Sequence, residues 1–201
     1  MTQGQQASSN SVMRLSDRAE SRIEEIKKRY PDVRSAVMPA LYIAQEELGH
    51  VTKEAILWVA DRVSMPPVQV MEVATFYTMY YKKPVGRYHV QVCRTLSCAL
   101  RGAAKLTEHM HKRLGVGPNE ITPDGMWSFE EVECLGSCGS APMCEINDVY
   151  FENLDPQKLD AILQRIEKEL PNLRLSTLND ELGAGLAGAP LSEVRESGVR
   201  K

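Results

Sequence analysis

Four of the five cysteines in this chain of 201 residues lie in two close pairs. Cys93 and Cys98 stand in the run VCRTLSC, and Cys134 and Cys138 stand in the run ECLGSCGSAPM. Each pair is able to chelate one side of a four-coordinate metal centre. Iron–sulfur clusters and structural zinc sites both take four cysteine ligands. The two pairs therefore predict a metal centre held by two separate loops.

The composition indicates a reducing compartment for these thiols. Apolar residues make up 43% of the chain and charged residues 25%, as in soluble globular proteins. The sequence has no apolar run of the roughly 20 residues that a membrane helix needs, and its N-terminus lacks a secretory signal. We therefore expect a cytoplasmic protein without direct membrane insertion, in which clustered cysteines bind metal or do redox work.

The spacing of the pairs leaves the metal open. Zinc ligands usually have two residues between them, although up to four occur, and the gaps here are four and three. The residue evidence as a whole favours an iron–sulfur cluster over zinc. A thioredoxin-type dithiol is less favoured, because the chain has no C-x-x-C motif. Cys144 remains as the fifth cysteine, and we expect it to be a small buried hydrophobic residue rather than a ligand.

The first part of the chain has the pattern of an all-helical domain, predicted over residues 15–83 after a disordered leader at residues 1–14. Ser16 and Thr52 stand where the caps of two of its helices are expected. The predicted helices cover residues 16–30, 34–49, 53–64 and 68–81. The aromatic side chains at the end of the last one suit either a core or an interface with a partner: Phe76, Tyr77, Tyr80 and Tyr81.

From residue 87 the spacing of the apolar residues changes and indicates alternating strands and helices. This pattern predicts a small α/β domain over residues 87–175, followed by a flexible tail at 176–201. The residues between the two domains, 83–86, have the composition of a hinge. The predicted order is a strand at 88–93, a helix at 99–115, a strand at 127–134, a hairpin turning at Asn147 and Asp148, and a helix after Asp155.

This topology brings the two thiol pairs together. A strand–helix–strand crossover makes its two strands parallel, so that their carboxyl ends lie at the same edge of the sheet. Cys93 ends the first predicted strand and Cys134 ends the second. Ligand sites of open α/β sheets form at that edge. We therefore expect both pairs on neighbouring loops.

Residues near the cysteines suit either a role in tuning the centre or ordinary turn chemistry. Gly136 and Gly139 allow unusual backbone angles that turn N–H groups towards sulfur. Hydroxyl groups are available for the same purpose at Thr95, Ser97, Ser137 and Ser140. Arg94 and Arg101 would soften the negative charge of four thiolates. Neither interpretation is excluded at this point.

Three runs of the sequence carry a family resemblance: SAVMPALYIAQEELG, PPVQVMEVATFYTMYYKKPVGRYHVQVCRTLSCALRGA and ECLGSCGSAPM. They cover most of residues 35–145, and through them the chain resembles the family of the 24-kDa subunit of respiratory complex I (NADH-quinone oxidoreductase). The resemblance implies an α/β fold with an N-terminal helical bundle followed by a thioredoxin-like domain. It also implies one [2Fe–2S] cluster, with one cysteine pair on each iron: Cys93, Cys98, Cys134 and Cys138.

By the same resemblance the chain would be an electron-transfer subunit in the NADH-oxidising module of complex I, peripheral to the inner face of the cell membrane. Its partners would be the flavin- and NADH-binding subunit, which holds FMN and NADH, and other subunits of the peripheral arm. The helical domain would dock against the flavin subunit. The equivalent diaphorase subunit of an NAD-linked hydrogenase or formate dehydrogenase is the alternative, and a scaffold subunit with structural zinc is a weaker one.

The sequence favours neither a nucleotide site nor a nucleic-acid site. A Gly-x-Gly-x-x-Gly match at Gly183, Gly185 and Gly188 follows no predicted strand and leaves too few residues for a dinucleotide-binding unit. We therefore expect no NADH oxidation by this chain alone. A net charge of −3 and a helix–turn–helix-like segment whose second helix has no Arg or Lys disfavour nucleic-acid binding.

Overall fold

The computed structural model describes residues 14–173. The predicted tail, the glycine motif within it and nearly all of the predicted leader lie outside the described residues. The chain divides into two compact units, of which one ends at Pro84 and the other begins at Val85. That residues 15–83 and 87–175 are separate domains stays a prediction.

The first unit is helical. Its elements are α1 (Asp17–Lys27), a 3₁₀ turn (Val33–Ala36), α2 (Val37–Leu48), α3 (Lys53–Val63) and α4 (Pro67–Phe76). The Ser16 hydroxyl accepts a hydrogen bond from the N–H of Ala19 (3.2 Å), and the Thr52 hydroxyl accepts one from Ala55 (3.1 Å). Each of these bonds satisfies a backbone donor in the first turn of a helix. Both predicted caps are confirmed.

The aromatic cluster at the end of α4 divides between core and surface. The helix ends at Phe76, so the prediction that it continues to residue 81 is wrong. Tyr80 is fully buried after the helix end, and its hydroxyl donates to the carbonyl of Met38 (3.0 Å). Phe76 is 79% exposed. Tyr80 therefore belongs to the core, whereas Phe76 is exposed and available for an interface with a partner.

The second unit is an α/β sandwich with a four-stranded sheet. Its elements are β1 (Tyr88–Cys93), α5 (Leu96–Leu100), α6 (Ala103–Leu114), β2 (Trp127–Val132), a 3₁₀ turn (Cys138–Ser140), β3 (Cys144–Ile146), β4 (Val149–Phe151) and α7 (Pro156–Glu169). The strand order is β2-β1-β3-β4. β1 is parallel to β2 and antiparallel to β3, and β3 is antiparallel to β4. The predicted parallel crossover and hairpin are confirmed.

One face of the sheet forms the core. Val90 in β1 lies between Phe129 in β2 and Ile146 in β3, and all three are fully buried. Helices α6 and α7 contribute buried side chains to the same cluster: Leu106, Met110, Leu159, Leu163 and Ile166. Burial of such side chains stabilises a fold by about 1.5–3 kcal/mol each. This core fixes the two parallel strands that carry the thiol loops.

The path from β1 to β2 differs from the prediction in two places. The single helix predicted over residues 99–115 is wrong, because Gly102 adopts a φ of +98° between α5 and α6 and interrupts the helix. β2 ends at Val132, two residues earlier than predicted. Cys98 therefore lies in a short separate helix, and Cys134 lies in the loop beyond its strand.

The described helices are all short. Among residues 14–173 we find no helix that is long and apolar enough to cross a membrane.

Candidate metal centre

The first thiol pair lies inside the α/β unit. Cys93 is the last residue of β1, and Cys98 lies in α5. Only 3% of Cys93 and 2% of Cys98 is exposed. Small or apolar residues pack around them: Ala103, Ala141, Met143 and the partly buried Leu135. This side of the candidate centre is therefore shielded from water.

The second pair lies in an exposed loop after β2. The Sγ atoms of Cys134 and Cys138 are 3.7 Å apart. Two thiolates on one tetrahedral metal lie about 3.8 Å apart when each metal–sulfur bond is about 2.3 Å. Between them Gly136 adopts a φ of +87°, and its N–H donates to the sulfur of Cys134 (N–Sγ 3.4 Å). The loop thus holds this pair at a chelating distance.

The two glycines of this loop are expected to respond differently to alanine. Gly136→Ala should lose about 1–2 kcal/mol of unfolding free energy, because the left-handed region penalises a Cβ. Gly139→Ala should be close to neutral, because its φ is not positive. A Cβ at either position meets no atom within 4 Å, so the contrast isolates the backbone angle. Urea denaturation of both variants measures it, and equal losses would contradict the interpretation.

The exposed loop is anchored on the β3–β4 hairpin. The hydroxyl groups of Ser137 and Ser140 both donate to the carboxylate of Glu152, which directly follows β4. The Tyr150 hydroxyl donates to the carbonyl of Leu135 (2.9 Å). These two serines therefore stabilise the fold of the loop through Glu152 and do not donate to a cysteine sulfur. The sequence has no local signal for Glu152 or Tyr150, since their partners lie in a distant loop.

The protein environment stabilises the thiolates unequally. Burial acts to raise the pKa of Cys93, but the N–H groups of Leu135 and Thr95 donate to its sulfur and hold its pKa below the usual value. Burial, and then the neighbouring Cys93, raise the pKa of Cys98 to about 11. Metal ligands must be deprotonated, so the second thiolate of this pair needs a cation to form at neutral pH.

The four thiols meet as two pairs on neighbouring loops. The bond from Leu135, in the second loop, to Cys93, in the first, joins the loops beside the buried pair. Ser97, in the first loop, lies beside Cys138, in the second, so the two loops are also joined at the exposed pair. Yet the part of the chain that the structure describes contains no group of three or more His, Cys, Asp or Glu side chains that could hold one metal ion. Two thiol pairs on neighbouring loops suit a binuclear cluster, in which each iron would take one pair, better than a single zinc ion.

Arg94 and Cys144, two other residues considered from the sequence, have surroundings that differ from those of the four paired cysteines. The Arg94 guanidinium donates to Glu133 (Nη2–Oε1 2.6 Å), so its charge has a carboxylate partner beside the loops. Cys144 is fully buried in β3 and belongs to the apolar core, apart from the two pairs. Burial raises the pKa of this thiol. The prediction that it is a small buried hydrophobic residue is confirmed.

Comparison with known proteins gives the family. The sequence matches the profile of the thioredoxin-like [2Fe-2S] ferredoxin family over residues 23–167. The E 2 subunit of the NADH-quinone oxidoreductase of Rhizobium meliloti (strain 1021) is 46% identical over 142 residues, which are 71% of this chain and 84% of that relative. NADH-quinone oxidoreductase subunit 2 of Thermus thermophilus is 44% identical over 158 residues, which are 76% of this chain and 87% of that relative.

A solved structure shows the same fold. A crystal structure of NAD⁺-reducing [NiFe]-hydrogenase in the air-oxidized state aligns with a TM-score of 0.59 and 24% identity, over 68% of this chain. This chain spans 23% of that hydrogenase chain, so the likeness concerns one part of it. Together with the profile match and the relatives above 40% identity, these findings confirm the resemblance: the chain belongs to the thioredoxin-like [2Fe–2S] ferredoxin family.

Proposed function

We propose that the chain is the [2Fe–2S] electron-transfer subunit in the NADH-oxidising module of an NADH-quinone oxidoreductase. The ligands are Cys93, Cys98, Cys134 and Cys138. The observation that carries this proposal is the presence of two thiol pairs on neighbouring loops, one of them at a chelating distance, in a member of a [2Fe–2S] family. The bound cluster supplies a one-electron carrier, and the polypeptide positions it and sets its potential.

The two pairs give the centre an inner and an outer side. Cys93 and Cys98 are buried among apolar side chains, whereas Cys134 and Cys138 are exposed. Electron transfer to another subunit is favoured where little protein separates the two redox groups. We therefore place the docked redox partner against the exposed pair, while the buried pair holds the cluster in the fold.

The partner we propose is the flavin- and NADH-binding subunit, within the peripheral arm at the inner face of the cell membrane. Exposed apolar side chains on α4 support docking of the helical unit: Phe76 is 79% exposed and Val68 is 63% exposed. Aromatic residues are enriched at protein–protein interfaces. The names of the relatives favour NADH-quinone oxidoreductase as host over a hydrogenase, to which the similarity is in fold.

Metal analysis and electron paramagnetic resonance (EPR) of the anaerobically purified full chain test the proposed centre. About two irons and two sulfides per chain, with an S = 1/2 signal after reduction by dithionite, are expected of one [2Fe–2S] cluster. A colourless chain with one zinc would contradict the proposal and favour a structural staple.

The loaded chain alone is expected not to oxidise NADH, because the proposed sites for NADH and FMN lie on its partner. The measurement is NADH consumption with ferricyanide as acceptor, while dithionite reduction of the same sample shows that the cluster is active. NADH oxidation by the flavin-free chain would contradict the placement of the NADH and FMN sites on the partner.

A further inference from the structure

Thr95 has a hydroxyl that does not cap its helix. It directly precedes α5, at the position where a threonine or serine hydroxyl commonly accepts a backbone N–H bond. Ser16 and Thr52 occupy the same position before α1 and α3, and both make this bond. The Thr95 hydroxyl makes no such bond. It is therefore available for a different partner.

The same hydroxyl is buried. Within residues 14–173, Thr95 Oγ1 is inaccessible to solvent and has no hydrogen-bond partner. Buried side-chain hydroxyls are nearly always hydrogen-bonded, and an exception calls for an explanation such as a bound group. The place of Thr95 in the fold indicates that group, because the residue lies between the two cysteines of the buried pair.

The sulfur of Cys93 is the acceptor within reach. Thr95 lies two residues after Cys93 in the chain, and both its N–H and its hydroxyl lie beside the sulfur of that cysteine. A neutral thiol is a weak acceptor, whereas a metal-bound thiolate carries negative charge and accepts stronger, charge-assisted hydrogen bonds. The bond is thus expected to form fully only when the sulfur ligates a metal.

We propose that the Thr95 hydroxyl donates a hydrogen bond to the Cys93 sulfur of the bound cluster and thereby raises the reduction potential of the cluster. This inference rests on the proposed ligand set. Reduction of the bound cluster by one electron from dithionite, which would take one iron from Fe(III) to Fe(II), would increase the negative charge on the ligating sulfurs. A donor at such a sulfur stabilises the reduced form more than the oxidised form. Thr95 is therefore a positioning residue that acts through Cys93.

The surroundings distinguish Thr95 from the other hydroxyl groups of the two loops. Ser137 and Ser140 donate to Glu152. Ser97 lies beside Cys138, where the sulfur is exposed and water competes with it. At Cys93 burial prevents water from replacing a lost donor. Loss of the Thr95 hydroxyl therefore leaves the sulfur with one donor fewer.

An EPR-monitored redox titration of Thr95→Val tests the proposal, since valine has the shape of threonine without its hydroxyl. At the wild-type midpoint, the ratio of reduced to oxidised cluster is expected to fall about fivefold to tenfold, or about 40–60 mV at 59 mV per tenfold change for one electron. Thr95→Ser restores the donor and should restore the midpoint. A merely structural role would change thermal stability and leave the midpoint in place.

An unchanged midpoint in Thr95→Val with its full iron content would overturn the proposal. Thr95→Ala provides a second variant without the hydroxyl, in case valine does not fit. Loss of iron from both would also overturn it, because the residue would then serve assembly of the centre rather than its potential. Failure of the ligand set has another signature, namely iron retained in Cys93→Ser.

Discussion

Serine in place of Cys93, Cys98, Cys134 or Cys138 is expected to remove the [2Fe–2S] cluster, with iron falling from about two atoms per chain to a small residue. A serine hydroxyl at neutral pH is protonated and does not replace a thiolate as a ligand for iron. In the proposed arrangement each pair holds one iron, so one iron would lose half of its protein ligands. The measurements are iron content, visible absorption and the EPR signal of the reduced chain.

Cys144→Ala is the matched control, since it removes a buried thiol that lies in the core and in neither pair. We expect it to retain full iron and to lose about 1 kcal/mol of stability through a small cavity. Cys134→Ser is the sharpest of the ligand variants, because its side chain is exposed and the change leaves the apolar core untouched. Full iron and full colour in Cys134→Ser would refute the ligand assignment.

The topology that positions the cysteines was predictable because it depends on local patterns. Alternating apolar residues predicted β1 and β2, and the helical segment between them required a parallel crossover. Cys93 at the end of β1 then had to lie near the loop of Cys134. The turn at Asn147, which adopts a φ of +54°, predicted the hairpin for the same reason, since asparagine tolerates this conformation.

The contacts that hold the second loop were not predictable, because they join residues that are distant in sequence. Glu152 receives both serine hydroxyls only because β4 ends beside the loop after β2. The break at Gly102 is not predictable from the sequence for a different reason. A single glycine within a helical pattern is compatible with a continuous helix, and only its φ of +98° shows that α5 and α6 are separate.

Gly86 has a structural role that its local sequence does not predict. Beside Pro84 it has the composition of a hinge, yet it is buried in the α/β unit and its N–H donates to the hydroxyl of Ser128 (2.8 Å). A Cβ at this position would lie 2.5 Å from the carbonyl carbon of Trp127 and 2.7 Å from the backbone nitrogen of Ser128. Glycine is therefore needed here for close approach to β2.

Gly86→Ala is expected to destabilise the α/β unit by about 2–4 kcal/mol, because the atoms that the new methyl group meets belong to the backbone of β2, which is paired with β1, and cannot rotate away. For a unit of this size the loss corresponds to a fall of at least about 10 °C in the unfolding midpoint. Bleaching of the visible absorption on heating reports on this unit, since β2 leads directly into the loop of Cys134 and Cys138.

Gly139→Ala serves as the control for this experiment, because it also adds a methyl group to a glycine of the same unit, but in open space. It lies beside the proposed ligand Cys138, far closer along the chain to the candidate centre than Gly86 does. We expect close packing on β2 to affect stability more than nearness to the proposed ligands does. The visible absorption of Gly86→Ala should therefore be lost at a lower temperature than that of Gly139→Ala. A Gly86→Ala chain that bleaches within about 2 °C of the wild type would show that β1 and β2 separate at little cost. In that case the loops, and not the strands, would hold the cluster in place.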